Sequence, residues 1–187
     1  MTKKTTAPIP VHVTRLEMTT PPKAHLLAPA NLHIALMRVP EIPLAYYRFL
    51  YRQVGSRWEW VDRVRMSDED LAATIHNDRT TVTVFYLEGA PAGFYEYHRE
   101  DDSVTRLVHF GLFERALGFG VGKWFLLQAL KAIWADQPEK VITETNNLDH
   151  PRALQLYQQF GFSPVSTYES EIAPLSDAEL LELARRF

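Results

Sequence analysis

The chain has 187 residues, a formal net charge of -3 and no cysteine. That length suits one domain able to bury roughly 70% of its unfolded surface without disulfides, and the charge lacks the basic excess that nucleic-acid binding requires. Without cysteine there are no thiolate metal ligands and no cysteine nucleophile. Residues 1–10 lack the apolar core of a signal peptide, and no apolar run approaches the ~18 residues of a membrane span. The expectation is a cytoplasmic protein with no metal, nucleic-acid or membrane partner.

Residues 1–10 read as a flexible arm and 11–187 as one domain. Within it, 11–18 is a short strand, 19–29 a Thr- and Pro-rich loop, and 33–39 a strand stopped by Pro40 and Pro43. Leu44, Tyr47, Tyr51 and Val54 share one helical face that ends near Gly55. Ser67 caps a second helix, with Asp68, Glu69 and Asp70 at its positive end. Segments 80–87, 92–97 and 105–113 predict an antiparallel meander, its first connection being Glu88-Gly89-Ala90-Pro91.

A glycine-rich run, Leu117-Gly118-Phe119-Gly120-Val121-Gly122-Lys123, separates the strand 107–113 from a helix, 124–134, whose Leu126, Leu127, Leu130 and Ile133 share a face. A strand follows at 140–145. Strand, helix and strand in that order demand a right-handed crossover, so 107–113 and 140–145 should be parallel neighbours. A helix over 151–160 opens on Pro151 and closes at Gly161; a last strand spans 162–172. Ser176 caps a C-terminal helix ending in Arg185 and Arg186, which either covers the core or pairs with a second subunit in a homodimer. The fold class is α/β, a mixed sheet with helices on its faces.

The glycine run has the chemistry of a phosphate cradle: glycines allow positive φ and close approach, and the next helix presents free N–H groups and a positive dipole end. Two nucleotide motifs fail on spacing. The dinucleotide fingerprint needs glycine where Lys123 stands, and a Walker loop needs glycine at Leu117 and Ser or Thr at Trp124.

What remains, strand, x-x-Gly-x-Gly and helix after a meander, followed by a strand and His150, Ala153, Tyr157, Gly161 and Phe162, resembles the GNAT superfamily of acetyl-CoA-dependent N-acetyltransferases. The family motif Gln/Arg-x-x-Gly-x-Gly/Ala falls on 117–122, and Asn-x-x-Ala-x-x-x-Tyr-x-x-x-Gly-Phe on 150–162. Phe110-Gly111-Leu112-Phe113, Leu148-Asp149-His150-Pro151 and Tyr51-Arg52-Gln53-Val54-Gly55 are similar to a bacterial subgroup of unknown substrate. The resemblance implies a mostly antiparallel GNAT-like sheet with helices on both faces and a parallel pair around the CoA cleft. It implies an acetyl transfer from acetyl-CoA to an unidentified amine by direct attack in a ternary complex. Alternatives are transfer of another acyl group, or a non-catalytic acyl-CoA-binding regulator.

Two departures from the family pattern matter. Leu117 replaces the Gln or Arg, although Arg115 lies nearby, so the pyrophosphate would rest on main-chain N–H groups of Gly118, Phe119, Gly120, Val121, Gly122 and Lys123. His150 replaces the Asn and, beside Ala153, would donate to the pantetheine, which would lie along Leu112 and Phe113 like an added strand. By the same resemblance Tyr157 is the acid serving the departing thiolate. Its other reading is a core aromatic.

The family's strand glutamate falls on Arg106, which leaves Glu96 and Glu144 as candidate bases, each readable equally as a charge on an open strand face. Asp149 and His109 remain beside them, a lone histidine on an apolar strand being more often a hydrogen-bonded core residue. Tyr46, Tyr47, Phe49, Tyr51, Trp58 and Trp60 read as helix core plus the start of a strand, with Trp58, Trp60 and Asp62 kept as acceptor-site candidates because an acid among aromatic faces suits a cationic amine.

Overall fold

The computed structural model describes residues 7–186. Seven strands form one sheet in the order β2-β3-β4-β5-β6-β1-β7, antiparallel throughout except where β5 meets β6. They are β1 (Ile9–Met18), β2 (Ile34–Arg38), β3 (Thr80–Leu87), β4 (Ala90–Arg99), β5 (Val104–Leu112), β6 (Lys140–Asn146) and β7 (Ser163–Ile172). The expected meander is β3 to β5. Its first turn is tighter than expected: Leu87 pairs with Ala90, leaving Glu88 and Gly89 as a two-residue turn with positive φ at both.

The central strands are covered on both faces. Leu16, Phe85, Tyr95 and Leu107 pack with α4 (Val121–Trp134) and α5 (Ala153–Gln159) through Phe125, Leu130 and Tyr157. Val82, Val84 and Phe94 pack on the other face with α1 (Leu44–Gly55) and α3 (Asp68–Ile75) through Tyr47, Leu50, Leu71 and Ile75. Phe94 and Tyr95, adjacent on β4, thus enter opposite cores, as the two-residue period of a strand requires. The C-terminal helix α6 (Asp177–Arg186) buries Leu183 in the second core, while Leu180 and Leu181 are exposed. Among the described residues no helix is long and apolar enough to cross a membrane.

Several elements differ from expectation in their bounds or kind. α4 starts at Val121, directly after the left-handed Gly120, so the glycine run is shorter and the helix longer. α5 starts at Ala153, because Pro151 and Arg152 form a turn ahead of it. A short helix, α2 (Asp62–Arg65), stands where Trp58 and Trp60 suggested the start of a strand. Of the expected arm, residues 1–6 lie outside the described residues, and Ile9 and Pro10 already belong to β1.

β5 and β6 are parallel, as the crossover requires, but only Val104 to Arg106 pair, with Lys140 to Ile142. Beyond them the strands part. β5 stays paired to β4 as far as Leu112, and β6 stays paired to β1 as far as Asn146, so the opening is a wedge with a bound strand on each side. The Thr143 hydroxyl donates to the Leu107 carbonyl across the wedge's apex at 3.0 Å. α1 is pressed against β5 beside this wedge, with Val54 where a Cβ on Gly111 would lie: the Val54 Cγ1 is 2.2 Å from that position. Gly111→Ala should therefore force α1 outward, costing about 1–3 kcal/mol and lowering Tm by roughly 3–10 °C. Thermal denaturation checks it, and the double variant with Val54→Ala should lose less than the two single losses together.

Candidate active site

The glycine run leads from β5 through a 3-10 turn, Glu114–Ala116, to α4. Gly118 and Gly120 take φ of +86° and +72°, which L side chains rarely adopt, and the position of a Cβ on either has no neighbour within 4 Å. Nothing packs there. No side chain caps α4, no acidic residue occupies its first turn, and Lys123 sits in that turn. The first N–H groups of a 14-residue helix are thus presented to open space with the positive end of its dipole. Arg115 does not substitute for the missing Gln or Arg at Leu117. Its guanidinium is engaged by the carbonyls of Leu87, Ala90 and Pro91 and ties the loop to the β3–β4 turn.

Within the wedge, Phe113 is not available as expected. Its N–H donates to Ala92 O at 2.8 Å, its carbonyl accepts from Ala116 N at 2.9 Å, and its ring is buried in the α1 core. Since antiparallel pairing turns alternate residues to opposite sides, Leu112 and Phe110 are the ones that aim main-chain groups away from β4 into the wedge.

A strap, residues 56–61, crosses the mouth of the wedge. Arg57 bonds Glu114 beyond β5 at 2.6 Å, Trp60 Nε1 donates to Asp149 Oδ1 at 3.2 Å, and the Trp58 ring stands edge-on to His150 at 5.6 Å. Asp149 is held by the Thr145 hydroxyl and the Asn146 N–H. His150 Nδ1 accepts from Arg152 N, which leaves Nε2 as the donor expected of this position. Ala153 follows at the start of α5.

Tyr157 lies on the α4–α5 side of the apex, 8% exposed, its ring 5.6 Å from that of Phe162. The Tyr157 ring belongs to the core, as the core-aromatic reading expects, and its hydroxyl interacts with Thr143 at the apex. Burial and, to a lesser degree, Asp149 push the phenol above its ordinary range, against a smaller opposing effect of Thr143. The group stays protonated.

Of the two candidate bases, Glu144 has the setting of the open-face reading and Glu96 that of neither reading. Glu144 is a surface charge, bonded to Arg15 Nε at 3.0 Å and to the Tyr168 hydroxyl at 3.3 Å, with Arg106 at 3.6 Å. Glu96 is neither exposed on a strand face nor free to take a proton. It is 1% exposed and binds the Tyr47 hydroxyl, Arg63 Nη2 at 2.8 Å and His109 Nδ1 at 3.1 Å. Burial favours its neutral form, but His109, Arg63 and Tyr47 together outweigh that and hold the carboxyl at about 2.

His109 itself is the residue sequence reasoning set aside. Its ring lies 5.1 Å from those of Tyr51 and Trp60, and it borders an open groove of about 570 Å³ with Asp62, Arg63, Arg65, Met66 and Val108. Arg65 is turned to α6, bonding Glu179 and the carbonyls of Ala173 and Pro174. Asp62 is exposed at the start of α2. The structure thus gathers Trp60, Asp62 and His109 on one side of the wedge and Tyr157 on the other, with Trp58 at its mouth.

This geometry agrees with comparison to known proteins. The profile of the acetyltransferase (GNAT) family matches residues 46–162, and the chain belongs to that family. No match was found among curated protein sequences. Solved structures of similar fold include a tandem GNAT protein of the clavulanic acid biosynthesis pathway, 18% identical over 88% of this chain and 54% of that one, with a TM-score of 0.61. An aminoglycoside acetyltransferase from an uncultured soil metagenomic sample, solved with trehalose, is 17% identical over 68% of this chain and 86% of that one, TM-score 0.55. A GNAT acetyltransferase of Elizabethkingia anophelis with acetyl-CoA bound is 18% identical over 74% of this chain and 80% of that one, TM-score 0.53. This chain spans about half the length of the tandem protein.

The buried pair yields a stability test. Because the folded-state Glu96 carboxyl is held at about 2, below the ~4.3 of an unfolded glutamate, its contribution is complete above about pH 5 and is lost as pH falls toward 2. Glu96→Gln should cost about 3–5 kcal/mol at pH 7 by leaving Arg63 buried without its partner, and should flatten the dependence of stability on pH between 5 and 2. Urea denaturation across that range measures both.

Proposed function

We propose that this chain, acting through residues 11–187 as one domain, transfers an acetyl group from acetyl-CoA to a primary amine. The observation that carries the proposal is the uncapped start of α4, presented by two positive-φ glycines at the open end of the β5–β6 wedge. Residues and group fit: the main-chain N–H groups from Gly118 to Lys123 would hold the pyrophosphate, and Leu112 and Phe110 the pantetheine amides. When bound, acetyl-CoA supplies an activated thioester carbonyl.

The residues then divide the work. Strand N–H groups in the wedge stabilise negative charge on the carbonyl oxygen. His150 Nε2 offers a donor at the wedge mouth. Tyr157, kept neutral by burial, donates a hydrogen bond to the departing sulfur. Trp58, Trp60 and Asp62 receive the acceptor, the carboxylate and the aromatic faces favouring a cation.

Incubation with acetyl-CoA and spermidine, kanamycin and 2-phenylethylamine as probe amines, with free thiol measured, tests the reading. Thiol release dependent on an amine is expected, and acetyl-CoA binding with no release across the panel would instead support a non-catalytic acyl-CoA sensor. Tyr157→Phe should lower kcat about 10- to 100-fold with little change in acetyl-CoA affinity, read from the same assay and from calorimetry. Gly120→Val, which places a β-branched residue at φ of +72°, should abolish measurable CoA binding, and retained affinity would count against the loop assignment.

A further inference from the structure

We infer that His109, oriented by the buried Glu96, is the group that takes the proton from the acceptor ammonium. This rests on the acetyl-transfer reading above and adds to it the missing base. Three observations on opposite faces of one residue carry it. Glu96 faces His109 directly across β4 and β5, and its Oε2 lies 3.1 Å from His109 Nδ1. The carboxylate is itself fixed by Tyr47 and by Arg63 and, being ionised, can only accept, so the imidazole presents its Nδ1–H to it. That tautomer leaves the Nε2 lone pair free, and the ring borders the groove that holds Asp62, Met66 and Val108. A histidine whose one nitrogen is anchored by a buried carboxylate while the ring borders a groove has the form of a proton acceptor rather than of a core residue.

Every charged or titratable group facing this ring belongs to the same arrangement. Glu96 comes from β4, Tyr51 and, through Glu96, Tyr47 from α1, and Asp62, Arg63 and Arg65 from α2; Trp60 of the strap and Phe94 of β4 complete the walls. Arg63 is paired with Glu96 and Arg65 with Glu179, so Asp62 is the charge left to attract a cation into the groove. The acceptor class is therefore an amine that arrives protonated.

The proton balance follows. The ammonium R–NH3+ gives one proton to His109 Nε2 and becomes a neutral amine. Its lone pair forms the N–C bond to the acetyl carbonyl carbon, and the C–S bond breaks with its electron pair on sulfur. The nitrogen sheds a second proton, which ends on that sulfur where Tyr157 donates its hydrogen bond, and Nε2 releases the first to water through the groove. The products are the acetamide, CoA thiol and one proton.

Two arms test the assignment. In 15N-imidazole NMR of the intact protein at pH 8, His109 should show a protonated Nδ1 and a bare Nε2; the opposite tautomer would overturn the proposal without touching the acetyl-transfer reading. In the thiol-release assay, with the fastest of the three probe amines, His109→Gln should lower kcat/KM at least 100-fold and remove the acidic limb of the pH profile, while CoA affinity stays within twofold. His109→Ala should be partly rescued by imidazole in the buffer. Glu96→Gln, a positioning change, should shift the pH profile and reduce kcat more than it raises KM. An active wild type with His109→Gln within threefold of it overturns the proposal alone, whereas a wild type inactive on all three amines overturns the acetyl-transfer reading on which it stands.

Discussion

Three residue pairs between β5 and β6 set the form of everything around them. A sheet that stayed zipped would have no interior opening, and a sheet whose strands parted without other partners would leave unpaired main-chain groups at a buried edge, which is costly. Here each parted strand keeps its opposite neighbour: β4 beside β5, β1 beside β6. The wedge is therefore rigid on both sides, and the bond from Thr143 to Leu107 fixes where it begins. Loop, strap and helix ends are arranged around that fixed gap, α4 starting at its open end and Tyr157 reaching its apex.

The side of the wedge under α1 and α2 is held by polar contacts inside an apolar layer. Arg63, Tyr47 and His109 all meet the one carboxylate of Glu96, each through a single polar atom. Such a set is seldom more stabilising than an apolar replacement of the same volume, because removing charges from water offsets much of their attraction. What it supplies is direction. Arg63 ties α2 to β4, and through it Asp62 and Trp60 keep their station beside the groove.

Much of this was legible in the sequence because local physics controls it. The glycine run, the Ser67 cap with its hydrogen bond to Asp70, the meander and the parallel crossover all follow from periodicity, capping chemistry and handedness. Three features were not. From the pairing of Arg99 with Thr105, uninterrupted register would set Glu96 opposite Val108; a bulge between Glu96 and Tyr97 sets it opposite His109 instead, and a bulge leaves no mark in hydrophobic alternation. Hence Glu96 read as a base or a surface charge and His109 as an isolated core residue. Phe113 was misjudged for a similar reason, since it ends the strand with its main-chain groups already bonded to Ala92 and Ala116. The position of β1 was also hidden, because no local signal states which distant strand will accept it.

That position has a consequence for how the molecule comes into being. β1 lies between β6 and β7, and His12 meets Asn147 across a separation of 135 residues. One wall of the wedge, β6, is thus backed by a strand from far earlier in the sequence, and that pairing can be set only once β6 itself exists. Closing so long a loop delays the contact until more local pairs, those of the meander, have formed. During synthesis the helical and meander half can settle first while β1 waits as an unpaired strand. The cleft is complete only when these two far-separated stretches of chain are joined.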